Sequence, residues 1–214
     1  MSQKISAKEA ASKIKDGMTV MIGGFLANGT PESIIDALVE SGAKDLTIIA
    51  NDTAYPDKGV GKLLTNRQIK KLIVSYIGAT PDASELMNTG ELEIEFSPQG
   101  TLAERIRAAG FGLGGVLTPT GLGTIVAEGK EVLEIDGKKY LLEKPLKADV
   151  ALIGASVADE EGNLLYRGTS RNFNPMMATA ADLVICEAAE KVPTGTIAPE
   201  DVHTPGMLVD FIIE

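Results

Sequence analysis

Six short aliphatic runs constrain this chain most: Thr19–Ile22, Leu46–Ala50, Leu72–Tyr76, Leu92–Phe96, Val150–Ala155 and Leu183–Glu187. Several are nearly continuous in Val, Ile, Leu and Ala instead of alternating with polar residues. A strand of that kind has to be covered on both faces, as in a parallel sheet flanked by helices. Helical spacing fills many of the gaps between the runs. Ser6-Ala-Lys-Glu9 is a capping-box pattern and predicts a first helix to about Lys15. Pro31–Ser41, Asp82–Thr89 and Leu102–Ala109 are followed by Gly42, Gly90 and Gly110, the residue type favoured in a left-handed C-cap. Strands alternating with helices of roughly ten residues predict an α/β class with an open, wound, mostly parallel sheet. Glu131–Leu142 departs from this. Asp136-Gly137 at its centre suits a type I′ turn, which predicts a small antiparallel hairpin flanking the main sheet. With 214 residues, 44% apolar, and no linker or repeat, the expectation is one domain over 1–214.

Composition narrows the function. A net charge of −10, 4% aromatic residues and no Trp argue against nucleic acid and against an anionic membrane surface. No apolar run reaches the ~18 residues of a membrane span, and the first residues lack the apolar core of a signal peptide. Cys186 is the single cysteine, so no internal disulfide can form, and a reducing, cytoplasmic setting is expected.

Two loops stand out chemically. Val20–Ile22 runs into Gly23-Gly24-Phe25, then Gly29 and Pro31. Glycines at the carboxyl end of a buried strand let backbone N–H groups approach a ligand, at the place where open α/β sheets bind one. The same glycines also suit a tight turn with no ligand. Asn51-Asp52-Thr53 follows the run Leu46–Ala50. An Asn amide there can steady an oxyanion, or the pair can form an Asx-turn. Ser97-Pro-Gln99-Gly100-Thr101 repeats the arrangement after Leu92–Phe96; Thr101 reads as a helix N-cap with Glu104 three residues on, which leaves Gln99 without a local task.

Other motifs read more plainly. Gly110-Phe-Gly112-Leu-Gly114-Gly115 matches a dinucleotide fingerprint in letters, but it follows a helix and runs into Val116-Leu117. A glycine loop beside a cleft, continued by Thr118–Thr124, fits better. His203 reads as a loop residue and Cys186 as core, while Arg105, Arg107, Arg167 and Arg171 read as solvated or paired. No His/Cys/Asp cluster has metal spacing, and neither a nucleophile elbow nor a phosphate loop is present. The chain offers loops suited to a ligand and no convincing nucleophile.

Taken together, Asp16-Gly17 followed by Gly23-Gly24-Phe25 and Gly29-x-Pro31, Ile-Ala-Asn51-Asp-Thr, Ser-Pro-Gln99-Gly-Thr-Leu-Ala-Glu-Arg-Ile-Arg107, Leu-Thr-Pro-Thr-Gly-Leu-Gly-Thr124 and Ser-Arg-Asn-Phe-Asn-Pro175 resemble the family I coenzyme A transferases. The matches span nearly the whole chain in the family's order. Length and the Thr-Pro-Gly-Met-Leu ending resemble the separate α subunit of the acetate- or butyrate–acetoacetate type. The resemblance implies a CoA-transferase/NagB-like fold and a two-subunit enzyme, α₂β₂ by family expectation, whose nucleophilic glutamate sits on the partner. Coenzyme A is then a substrate, and no cofactor or metal is implied. A glutamyl-CoA thioester would form by way of an acyl anhydride, giving ping-pong kinetics. By position, Asn51 would donate to the thioester oxyanion. Gly23, Gly24 and Phe25, with Asn28 and Gly29, would wall the acyl pocket, and Gln99 and Gly100 would face it across the cleft. Glu161-Gly162-Asn163 faintly resembles the partner's nucleophile motif but reads as an acidic surface turn.

Two other readings compete. One is a non-catalytic ligand sensor of the same architecture, as in sugar-phosphate-responsive repressors; these carry an N-terminal DNA-binding helix pair, and here the sheet is expected by about residue 19. The other is a sugar-phosphate isomerase, which would need acid/base residues on this chain.

Overall fold

The structure, a computed structural model, describes residues 2–214. In chain order the elements are β1 (Gln3–Ile5), α1 (Ala7–Ser12), β2 (Thr19–Ile22), α2 (Glu32–Ser41), β3 (Leu46–Asp52), α3 (Val60–Thr65), β4 (Ile69–Tyr76), α4 (Pro81–Thr89), β5 (Glu93–Phe96) and α5 (Gln99–Gly110). There follow β6 (Val116–Thr118), β7 (Val132–Ile135), β8 (Lys138–Glu143), β9 (Ala148–Asp159), β10 (Leu164–Leu165), α6 (Asn174–Met177), β11 (Ala181–Val192) and β12 (Phe211–Ile213). The main sheet has the order β1-β12-β11-β9-β2-β3-β4-β5, all parallel, with β10 antiparallel on β9. All six aliphatic runs are in it. From β2 the chain steps outward through β3, β4 and β5, then returns to the other side of β2 with β9. The strand order therefore reverses at β2/β9, the kind of place where open sheets leave a crevice at the carboxyl ends.

Successive residues of each strand feed opposite layers. Val20, Ile22, Ile48, Leu72 and Leu152 pack with Ile34, Ile35, Leu38, Leu63 and Leu86 of α2, α3 and α4. Met21, Ile49, Ile73, Ile153 and Cys186 pack on the other side with Leu102, Ile106 and Met177 of α5 and α6. This is why the central runs read as continuous: both of their faces are covered by helices. Among the described residues no helix is long and apolar enough to cross a membrane.

Several local expectations are realised. Ser6 Oγ accepts from Glu9 N at 3.2 Å and Ser6 N donates to Glu9 Oε2 at 2.8 Å, so the capping box closes. Gly42 and Gly90 end α2 and α4 with φ of 70° and 77°. Asp136 and Gly137 have φ of 50° and 73°, the signs a type I′ turn requires.

Three expectations are corrected. α1 stops at Ser12, short of Lys15, because the buried Ile14 is pulled inward by a tightened turn in which its N–H bonds Ala11 O at 3.0 Å. α5 begins at Gln99 behind Pro98, so Thr101 is a buried helix residue and not the cap. Gly110 lies inside α5, where a Cβ would overlap the Thr179 side chain; the left-handed residue is Gly112, φ 69°. The expected antiparallel hairpin is present as β7–β8, and β6 joins it in a separate three-stranded sheet, order β6-β8-β7.

Charge ties that small sheet to the rest. The buried Arg105 of α5 donates Nη1 to Glu95 at 2.7 Å and Nε to Lys144 O at 2.9 Å, and its Nε lies 3.7 Å from the buried Glu143 of β8. Lys130 reaches Glu143 at 2.6 Å. Burial would raise the Glu95 carboxyl, but the Arg105 guanidinium and then Lys71 more than reverse this and hold it below its ordinary value of 4.5. A depressed carboxyl stabilises the fold above its unfolded value and loses that contribution as pH falls through its folded value. Glu95→Gln should therefore cost about 1–2 kcal/mol at pH 7 in urea unfolding. The gap to the unmodified protein should narrow below pH 4.5 and then close; a gap independent of pH would contradict the assignment.

Candidate functional site

The carboxyl ends of β2, β3 and β4 and the start of α5 surround a cavity of about 460 Å³, lined by Phe25, Leu26, Asn51, Asp52, Tyr55, Ser75, Tyr76, Ala79 and Gln99. Asn51 and Asp52, at 3% and 6% exposure, are the last residues of β3. Phe25, Tyr55 and Tyr76 are exposed aromatic rings on its rim. No lysine, arginine or histidine is among the lining residues.

The polar groups form one chain of bonds. Gln99 Nε2 donates to Asn51 Oδ1 at 2.7 Å. Asn51 Nδ2 donates to Asp52 Oδ2 at 2.7 Å. Ser75 Oγ donates to Asn51 O at 2.6 Å and lies 3.4 Å from its Oδ1. Asp52 closes the chain by accepting two backbone bonds, from Ala54 N at 2.8 Å and from Leu26 N at 3.1 Å. The two readings of Asn51-Asp52 thus divide between the residues: Asp52 makes the Asx-type bond two residues on, and Asn51 carries the amide at the cavity wall.

Both donors to Asp52 belong to turns of unusual backbone. Leu26 and Ala27 have φ of 46° and 68°, and Ala54 has 53°. A left-handed conformation in a residue with a Cβ persists only where neighbours impose it. Phe25 and Asn28 close the first turn with reciprocal backbone bonds of 3.0 and 2.9 Å; Tyr55 and Lys58 close the second with one of 3.0 Å. Each turn sets an aromatic residue at the cavity rim and feeds the next helix.

Of the residues expected at the site, Phe25, Asn51 and Gln99 meet in this cavity. Gly23, Gly24, Asn28, Gly29 and Gly100 lie outside its lining. The backbone N–H groups of the two leading glycines are spent within the chain: Gly23 N bonds Leu152 O at 2.9 Å and Gly24 N bonds Asn172 Oδ1 at 3.1 Å. Their lack of a Cβ serves packing, since one at Gly23 would overlap Asn174 and one at Gly24 would overlap Thr30. Asn28 Nδ2 bonds Phe25 O at 3.2 Å, and Gly29 packs on Ser170 beside a second hollow. Gly100 borders a third hollow, with Thr101, Glu104, Arg107 and Thr118.

Residue-by-residue reading missed Tyr55, Ser75, Tyr76 and Ala79, because nothing in their local spacing marks a strand end as a cavity wall. It also missed Asn174. Fully buried, Asn174 accepts from Gly154 N at 3.0 Å and donates to Gly29 O at 3.0 Å. His203 is a structural residue: its Nδ1 accepts from Tyr166 N at 3.0 Å and its ring stacks on Tyr166. Burial, and less strongly Glu187, pushes the Cys186 thiol far up, which leaves it inert. Gly23→Ala should cost about 1–3 kcal/mol through overlap with Asn174. Gly100→Ala, with nothing within 4 Å of the added methyl on α5, should be neutral or stabilising. Thermal unfolding of the two variants decides it, and equal losses would refute the packing role of Gly23.

Residues 4–214 match the coenzyme A transferase family. The acetoacetyl-CoA:acetate/butyrate CoA transferase alpha subunit of Clostridium acetobutylicum is 55% identical over 100% of this chain and 98% of its own length. The acetate CoA-transferase subunit alpha of Escherichia coli K12 is 50% identical over 98% of this chain and 95% of its own. Among solved structures, an acyl-CoA transferase from E. coli O157:H7, determined as a thioester complex with CoA, superposes with a TM-score of 0.89 at 25% identity. That superposition covers 99% of this chain and 47% of that one, so this chain spans about half the length of that enzyme. These likenesses favour the enzyme over the ligand sensor. The chain belongs to the coenzyme A transferase family.

Proposed function

We propose that this chain is the α subunit of a heteromeric CoA-transferase that moves CoA between a short acyl-CoA and a short carboxylic or 3-oxo acid. The observation that carries the reading is a cavity with an amide pair, Asn51 and Gln99, and no side chain free to attack. Asp52 is the one carboxylate in it, and both its oxygens are engaged by Leu26 N, Ala54 N and Asn51 Nδ2. Ser75 has no base beside it, and His203 is committed to Tyr166. A pocket built this way serves chemistry whose nucleophile comes from elsewhere, and the α-subunit names of the two relatives support a β partner as its source. α₂β₂ is the stoichiometry we propose, in the cytoplasm.

In the proposed sequence a glutamate of the partner attacks the acyl-CoA carbonyl. The resulting oxyanion collapses, releasing CoA thiolate and leaving an acyl–glutamyl anhydride. The thiolate then attacks the glutamyl carbonyl, expels the acid as its carboxylate and leaves a glutamyl-CoA thioester. A second acid reverses these steps and departs as the new acyl-CoA. Each step puts negative charge on a carbonyl oxygen, which an amide N–H of Asn51 stabilises, with Gln99 lending its dipole. Phe25, Tyr55 and Tyr76 line the acyl end, restrict its size and shield the anhydride from water. Acids that differ by a methylene are separated by only about 1–3 kcal/mol in such a pocket. A short acid is therefore the reading, supported by the substrates in the two relatives' names.

Acetyl-CoA and acetoacetate should give no turnover with this chain alone and ready turnover once its β partner is added; activity of the isolated chain would refute the shared site. In the assembled enzyme, Asn51→Ala should lower kcat by about a hundredfold or more with assembly intact. Unchanged turnover there would remove Asn51 from the reaction.

A further inference from the structure

We infer that Asp52 is a positioning residue for this reaction, its carboxylate dictating which way the Asn51 and Gln99 amides point; the inference rests on the reading of Asn51 as the oxyanion donor. An ionised carboxylate accepts hydrogen bonds and cannot donate them. With Oδ2 of Asp52 at 2.7 Å, Asn51 has to present its nitrogen there. Its oxygen is then turned to Gln99 Nε2 at 2.7 Å and toward Ser75 Oγ at 3.4 Å. The bonds run in one sense only, from Gln99 to Asn51 to Asp52. Reversed, the Asn51 oxygen would face the Asp52 carboxylate and its nitrogen would face the Gln99 N–H group, so both bonds would be lost.

The same carboxylate shapes the cavity. It accepts from Leu26 N and Ala54 N, two non-glycine residues held at φ of 46° and 53°. Phe25 precedes the first and Tyr55 follows the second, so one buried anion anchors both aromatic-bearing turns and the amide pair between them. Any acceptor could hold the turns. Only a group that never donates can enforce the direction of the amides, and that separates positioning from mere folding.

The test uses the complex of this chain with its β partner, assayed with acetyl-CoA and acetoacetate. Asp52→Asn keeps the shape and one acceptor oxygen but can donate to Asn51. It should lower kcat by about 10- to 100-fold, the range that loss of an orienting partner costs at metal sites, with KM within about twofold. Combined with Asn51→Ala, it should add no more than about a twofold loss, because residues acting through one another do not add. A normal kcat for Asp52→Asn beside an impaired Asn51→Ala overturns the positioning role alone. Full multiplication of the two losses does the same. A harmless Asn51→Ala overturns the oxyanion reading, and the inference falls with it.

Should Asp52→Asn assemble poorly, Leu26→Gly and Ala54→Gly relieve the two strained turns without touching the amides. In that background kcat per assembled complex should stay low. Recovery of kcat there, or failure to assemble even there, would assign Asp52 to folding alone and overturn the inference.

Discussion

A sheet covered on both faces leaves little water for the backbone groups at the ends of its central strands, so many of those groups are bonded within the chain. Three side chains meet that demand here. Asp52 accepts from the turns after β2 and β3. Asn174 bridges Gly154 N and Gly29 O across the point where the strand order reverses. Glu187 of β11 accepts from Ser33 N at 2.9 Å and Ile34 N at 3.3 Å, completing the start of α2. That helix needs help from a distance because its N-cap is Pro31, which makes no side-chain cap bond.

The amide pair at the cavity owes its arrangement to the same demand. A carboxylate recruited to satisfy two backbone N–H groups also touches the amide next to it in sequence, and so gives that amide a direction. Structure and chemistry share an anion because Asn51 and Asp52 are consecutive residues of one strand, with Leu26 and Ala54 on the two turns beside them. On the proposed reading, this fold supplies half of a site whose nucleophile belongs to another chain. In the function we propose, the complementary half is brought by a β partner, as the α-subunit names of the two relatives support.

Much of the fold was legible because the aliphatic runs announce a two-sided sheet and Gly42, Gly90 and the Asp136-Gly137 pair announce their own turns. The site was legible in part. Asn51 stands out as an amide after a strand and Gln99 as a residue without a local task, and the two bond each other across 48 positions of sequence. Gly23 and Gly24 stand out in the sequence, and their N–H groups bond Leu152 O and Asn172 Oδ1 within the chain. Glycine marks a close approach without saying to what, and here the neighbours are Asn174 and Thr30. Tyr55 and Tyr76 carried no signal, since an aromatic residue after a strand is as ordinary in a core as in a pocket.

From its residues alone, this protein declares strands that must be sandwiched, helices with named ends, a hairpin with a prescribed turn, and a family resemblance carried by short motifs. These depend on neighbours within a few positions, where propensity and capping act. The sequence alone did not determine that β9 returns beside β2, that Asp52 reaches back 26 residues to Leu26, or that Arg105 ties β8 to the edge of the main sheet. Those pairings join distant segments and exist only once the chain has closed, because burial makes each unmatched donor or charge too costly to leave.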